Sequence, residues 1–186
     1  MKSLTEAEIQ SLTRKYLARN KFQFLSRTCS GESLHYRLEM AGRPKFKVPD
    51  VVAVSGSCVL VFEEKVRYSD LFAEGSSGLS DIRKLTTFLS NEQAVIEFRK
   101  LLLQTRIPPN NPTIIGAVGS LKAMRASSNT IPRDLVFISV QIVHDGFLIE
   151  LCQDGGIGNL FQVKKERFDL QGPTTSFISE KTAELL

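Results

Sequence analysis

The sequence predicts an α/β protein: a central mixed β-sheet flanked by helices, in the order helix, three strands, helical segment, strand, with an additional C-terminal β-hairpin. Three observations carry this. The chain opens on a capped stretch of helical period, MKSLTEAEIQ and onward. Two apolar runs, Val51–Val54 and Cys58–Phe62, then follow each other across Ser55-Gly56-Ser57. A long stretch of helical period separates them from the next apolar run, PTIIGAVG. Elements that change type in this order build one sheet with helices packed on its faces.

The first helix is expected over about Leu4 to Asn20. Ser3 with Glu6, and Thr5 with Glu8, each have capping-box spacing. Ile9, Leu12 and Tyr16 recur at helical period, with Thr13 and Leu17 beside them. A variable piece follows. LHYRLEMAG then alternates like a strand and ends at a turn, GRP. PDVVAV and CVLVFEEK read as two strands of a tight hairpin through SGS. After a Ser/Gly loop, AEGSSG, helical period returns at Leu79 with Ile82, Leu85 and Leu89. Ser90 and Gln93 suggest a fresh cap, and Val95, Phe98 and Leu102 carry the pattern to about Thr105. The Val95–Leu103 face is expected in the core, although its LLL run also suits a subunit contact.

IPPNNP ends the helical stretch, since proline lacks the amide a helix needs. PTIIGAVG is a short buried strand and LKAMRAS a helical turn. DLVFISVQIV and FLIELC form a hairpin around His144-Asp145-Gly146. From Gln153 onward the pattern is weak. A chain of 186 residues fits one domain, here 1–186, with a core over about 4–118 and C-terminal strands and a tail over 119–186.

Bulk properties narrow the function classes. A formal charge of +4 permits a nucleic-acid partner without demanding one. Arg14, Lys15, Arg19 and Lys21, then Arg43, Lys45 and Lys47, then Lys164, Lys165 and Arg167 are clusters whose plain reading is solvated surface. Cys29, Cys58 and Cys152 are far apart, which argues for reduced thiols and against a disulfide frame or a zinc site. The start has no signal-peptide pattern, and no apolar run reaches membrane-spanning length. A cytoplasmic protein with no membrane partner is expected.

The chemistry gathers where apolar strands meet charge. Asp50 opens the first run, and Glu63, Glu64 and Lys65 close the second. Charges at the ends of core strands are costly unless paired or bound to a metal. On a strand, Glu63 and Lys65 point together and Glu64 points away. The SGS hairpin brings Asp50 beside Glu63 and Lys65. Paired carboxylates hold a hard cation such as Mg²⁺, which acidifies a water and offsets charge building on phosphorus. A lysine alongside orients that water or stabilises the developing charge, and the Glu64 backbone carbonyl is placed as a further ligand. The plain structural reading makes Asp50 a turn residue after proline and Glu63–Lys65 an exposed strand-end ion pair, worth little.

Pro49-Asp50 followed by Glu63-Glu64-Lys65 resembles the PD-(D/E)xK signature of restriction-endonuclease-like nucleases. The element order over about 4–118 is similar to that family's core. The resemblance implies a Mg²⁺-dependent endodeoxyribonuclease acting on double-stranded DNA, with Mn²⁺ able to substitute. Asp50 and Glu63 would bind metal and Lys65 would assist the attacking water. Members often carry one more acidic residue on the first helix. Glu6 falls on the Ile9–Thr13–Leu17 side and Glu8 is turned away, so Glu6 is the expected fourth site residue.

QDGGIGNL lacks a phosphate-loop lysine, and Gly56-Ser57 and Gly119-Ser120 belong to no nucleophile elbow. His35 and His144 are too few for a His-based metal site. About 65 residues after residue 120 read as strands and a basic tail, without a groove-reading motif. A nuclease cutting at defined sites needs base-edge contacts. The layout therefore resembles the small, strand-cleaving subunit of a heterodimeric type IIS restriction endonuclease, whose large subunit recognises the site. The alternatives are a homodimeric Holliday-junction-resolving or repair nuclease, and a non-catalytic nucleic-acid-binding module with this fold.

Overall fold

The computed structural model describes residues 4–40, 43–75, 78–122 and 130–169. Helix α1 spans Glu6–Arg19, followed by strands β1 (Gln23–Leu25), β2 (Tyr36–Met40), β3 (Arg43–Lys47), β4 (Val51–Ser55) and β5 (Cys58–Lys65). A 3₁₀ turn at Tyr68–Leu71 leads to helices α2 (Asp81–Ser90) and α3 (Glu92–Leu102). Strands β6 (Thr113–Leu121), β7 (Val136–Val143), β8 (Gly146–Asp154) and β9 (Lys165–Asp169) complete the described chain.

The protein is α/β, with a large mixed sheet flanked by helices. Seven strands form the sheet in the order β1-β4-β5-β6-β7-β8-β9, and β2 and β3 form a separate two-stranded ribbon. β5 lies antiparallel to β4 and parallel to β6. A strand covered on both faces and paired on both sides must be apolar throughout, as CVLVFEEK is until its last three residues. Gly56 turns the β4–β5 hairpin at φ 59°, a left-handed backbone that side chains resist.

Alternation along β4 and β5 divides the core. Val52, Val54, Val59 and Val61 face α2, α3 and the β2–β3 ribbon, in a layer with Leu85, Phe88, Phe98 and Leu102. Val51, Ala53, Leu60 and Phe62 face the other way, onto Ile9, Leu12, Tyr16 and Leu17 of α1. Each large side chain removed from water here contributes about 1.5–3 kcal/mol. That burial offsets the cost of carrying two charged residues into the same strand.

α1 begins as the capping spacing predicts. Thr5 is its N-cap and Glu8 closes the reciprocal box. Four expectations need correction. LHYRLEMAG is not a strand of the main sheet: β2 pairs with β3, and the main-sheet partner of β4 is β1. β1 has three residues, too few to show alternation, and it lies in the piece read as variable. β3 contains Pro44 and is mostly exposed, so neither composition nor period marks it. Its start at Arg43 also places Arg43 and Pro44 of the expected turn inside a strand. The cap of the second helical segment is Asn91, which accepts from the Ala94 amide, and Ser90 instead ends α2. Lys165 and Arg167 of the expected basic tail lie in edge strand β9, paired with β8. Residues 123–127 of LKAMRAS lie outside the described residues. Among the described residues no helix is long and apolar enough to cross a membrane.

Candidate active site at the rim of the central strands

The β4–β5 ladder pairs Val51 with Phe62. Just before the ladder begins, the Asp50 amide donates to the same Phe62 carbonyl at 3.0 Å, which keeps Asp50 at the end of β5, within electrostatic reach of Glu63 and Lys65. The Asp50 side chain turns onto the partner strand, where its Oδ2 accepts the Glu64 amide at 2.7 Å. That bond locks the carboxylate beside the peptide linking Glu63 to Glu64.

Glu63 is fully buried. The Tyr36 hydroxyl donates to its Oε1 at 2.9 Å, and the Lys47 ammonium pairs with its Oε2. Both partners come from the ribbon, where Tyr36 and Lys47 are cross-strand neighbours. Burial pushes the Glu63 carboxyl up to about 7; Asp50 and Asp81 push the same way and Lys47 opposes them. Burial, and then Glu63, raise the Tyr36 phenol, so it stays a donor.

Asp81 completes the cluster from the first position of α2, behind the N-cap Ser80. Its Oδ1 accepts from Lys84 at 2.8 Å and Lys47 at 3.2 Å, and its Oδ2 lies 3.3 Å from Lys65. Burial alone would raise the Asp81 carboxyl, but these three ammonium groups hold it below the usual range. Lys65 sits between Asp81 and Glu6, whose Oε1 is 3.5 Å from its ammonium. Burial works to lower the Lys65 pKa; Asp81, Glu6 and Asp50 outweigh it and raise it. Lys65 is therefore a cation.

Glu64 occupies the opposite face. Its side chain is fully buried against α1, packed beside Gly119, where a Cβ would lie 2.8 Å from Phe62 Cε1 and 3.1 Å from Glu64 Oε1. Burial pushes the Glu64 carboxyl up to about 8; Thr13 and Arg14 lower it, while Asp50 and Glu6 raise it. Thr13 is near enough to favour the carboxylate, yet neither Thr13 Oγ1 nor either Glu64 oxygen makes a hydrogen bond of normal geometry.

The structure thus brings Asp50, Glu63 and Lys65 to one rim. It adds Glu6 beside Lys65 and sends the Glu64 side chain to the opposite face. The exposed strand-end ion pair is not what the chain forms, because Glu63 and Glu64 have no solvent exposure. Reading the sequence missed Tyr36, Lys47 and Asp81. Tyr36 and Lys47 become neighbours only through the unrecognised β2–β3 pairing, and Lys47 looked like one more surface lysine. Asp81 has the signature of a helix-start acid, which needs no site to explain it.

Among the described residues, no three His, Cys, Asp or Glu side chains form a ready metal cage; the carboxylates are bridged by ammonium groups instead. The donor chemistry still suits a hard divalent cation. Glu63 is in electrostatic repulsion with both Asp50 and Asp81, and all three supply the carboxylate oxygens such an ion prefers. No protein-family model, curated protein or solved structure matches the chain.

Proposed function

We propose that the chain is a metal-dependent DNA endonuclease with a restriction-endonuclease-like core, acting as the strand-cleaving small subunit of a heterodimeric type IIS restriction enzyme. One observation carries the reading: the Asp50 carboxylate is tied to the Glu64 amide at the end of β5, within electrostatic reach of Glu63 and of Lys65 two residues on, at a rim lined by further charge. The order of elements supports it, with α1, the antiparallel strands β1, β4 and β5, two helices, then β6 parallel to β5.

Asp50 and Glu63 would hold Mg²⁺ or Mn²⁺, with the Glu64 carbonyl and Glu6 in support, and the ion would acidify a water and offset charge on phosphorus. Tyr36 fixes the Glu63 carboxyl through Oε1. The Glu64 amide fixes Asp50, so both carboxylates are aimed before substrate arrives. Lys65, held protonated by its acidic neighbours, stabilises the negative charge of the pentavalent phosphorus and does not act as the base. Beyond β6 the described chain continues as three strands of the same sheet and one 3₁₀ turn at Gly158–Leu160, too short to read a major groove. Site reading then falls to a larger partner subunit.

A homodimeric junction-resolving nuclease is the second reading. Ile96 of α3 and Leu103, its C-cap, are 37% and 58% exposed, as a subunit contact would use. The experiment is cleavage of supercoiled plasmid in Mg²⁺ by the protein alone, and with the polypeptide encoded beside it. A four-way DNA junction serves as a third substrate. Double-strand cutting only with the partner supports the small-subunit reading. Unaided junction cleavage by a dimer supports the second. No cleavage of any substrate leaves a binding module.

A further inference from the structure

The ribbon of β2 and β3 pairs with no strand of the main sheet. Its inner side is anchored: Tyr36 and Leu38 are buried, and Tyr36 and Lys47 both reach Glu63. Its outer side carries Phe46, which is 63% exposed and, among the described residues, the one phenylalanine or tyrosine left open to water. Val48, two residues on, is 58% exposed. Single exposed apolar side chains are ordinary on a protein surface. What sets Phe46 apart is its company. The His35 ring meets it edge to face, with centroids 5.0 Å apart, which orients the Phe46 ring. On the same strand Arg43 and Lys45 are exposed and, among the described residues, have no carboxylate partner. We propose that the β3 edge of the ribbon binds single-stranded DNA leading into the rim, with a base stacked on Phe46 and phosphates paired with Lys45 and Arg43. The choice of DNA rests on the endonuclease reading above, whereas the surface itself uses none of the carboxylates.

The physical case is the two-sidedness of both strands. Alternation along β3 puts Arg43, Lys45 and Lys47 on one side, about 6.8 Å apart, and Phe46 on the other. A nucleic-acid strand is divided in the same way, with phosphates along one side and bases along the other. Lys47 is the cation nearest the candidate active site and is committed to Glu63 and Asp81. Lys45 and Arg43 continue the row away from the rim with their charge open to phosphate. Arg37, the cross-strand neighbour of Phe46, is not counted among them, because it pairs with Glu39 and Glu97. A duplex keeps its base faces inside the stack, so Phe46 would meet none. An unpaired strand offers them, and every base has a face to stack. Val48 stands two residues before Asp50, so the apolar patch borders the site.

The test is fluorescence anisotropy of a labelled oligothymidylate, and of a blunt duplex of the same length, titrated with the full chain in EDTA so that nothing is cut. The wild-type chain should bind the single strand more tightly than the duplex. Phe46→Ala should weaken single-strand binding by about 5–150-fold, the range for losing one base–aromatic stack. Phe46→Tyr, which keeps the ring, should retain it. Arg43→Ala combined with Lys45→Ala should flatten the slope of log affinity against log salt by about 1.4, from two phosphate contacts at about 0.7 each. All three positions are exposed, and circular dichroism checks that each variant folds. If Phe46→Ala does not fold, the double variant decides alone. Absence of single-strand binding by the wild-type chain overturns the proposal, as does tighter binding of the duplex or of an RNA strand of the same length. So does wild-type affinity in folded Phe46→Ala, or an unchanged salt slope in the folded double variant. Plasmid nicking in Mg²⁺ by the wild-type chain with the neighbouring-gene polypeptide, measured in parallel, separates the two readings. The expected binding pattern without nicking keeps this surface and sinks the nuclease. Nicking without that pattern does the reverse.

Discussion

Replacing Glu64 by glutamine should make the protein more stable at alkaline pH and leave it nearly unchanged in acid. Glu64 has no solvent exposure, and neither carboxyl oxygen has a hydrogen-bond partner of normal geometry. Its ordinary value of 4.5 is pushed up to about 8, by burial above all. The folded protein thus keeps a proton that the unfolded chain gives up from about pH 4.5. Wherever the folded state binds more protons, stability falls as pH rises. The loss runs from about pH 4.5 to about pH 8 and is complete above that. At about 1.4 kcal/mol per pH unit the full penalty is about 3–5 kcal/mol. Glutamine has nearly the same shape and never ionises, so it escapes this loss. Urea unfolding of both proteins at pH 5, 7 and 9 measures the difference. It should be near zero at pH 5 and about 3–5 kcal/mol in favour of Glu64→Gln at pH 9. Glu63 titrates in both proteins and cancels. A difference that does not change between pH 5 and pH 9 would refute the placement of an unpaired carboxyl behind Gly119.

Other substitutions probe the opposite face. Tyr36→Phe removes the donor to Glu63 Oε1 in a fully buried setting and should cost about 1–3 kcal/mol in urea unfolding, the penalty of stranding a buried acceptor; no loss would mean that bond is unimportant to the folded state. Lys65→Ala should slow plasmid nicking by about 10²–10³-fold, as expected on deleting one group that stabilises transition-state charge, while leaving circular dichroism unchanged. Wild-type nicking by this variant would exclude the role assigned to Lys65.

What could be read from the sequence followed from strong local signals. Thr5 and Glu8 announced α1, and the apolar runs around Gly56 announced the β4–β5 hairpin. Because strand alternation is strict, the hairpin also put Glu63 and Glu64 on opposite faces of the sheet. The rest depended on pairing between segments with no signal of their own. β1 is three residues long, and β3 carries proline and exposed side chains, so the ribbon that delivers Tyr36 and Lys47 to Glu63 was invisible. Asp81 arrives through the packing of α2 on the sheet, a tertiary event that a helix-start aspartate does not advertise. Its lysine partners, Lys47, Lys65 and Lys84, come from β3, β5 and α2. For the same reason the charged ends of β4 and β5 were legible as a site, while their counter-ions were not.

Supercoiled plasmid incubated in Mg²⁺ with the wild-type chain, with Asp50→Ala, and with wild-type chain in excess EDTA tests the central claim most directly, each in the presence of the neighbouring-gene polypeptide. Conversion to nicked or linear DNA by the wild-type chain, lost on chelation and lost in a folded Asp50→Ala protein, is the expected result. Cutting that persists in folded Asp50→Ala, or that continues without a divalent ion, would contradict it.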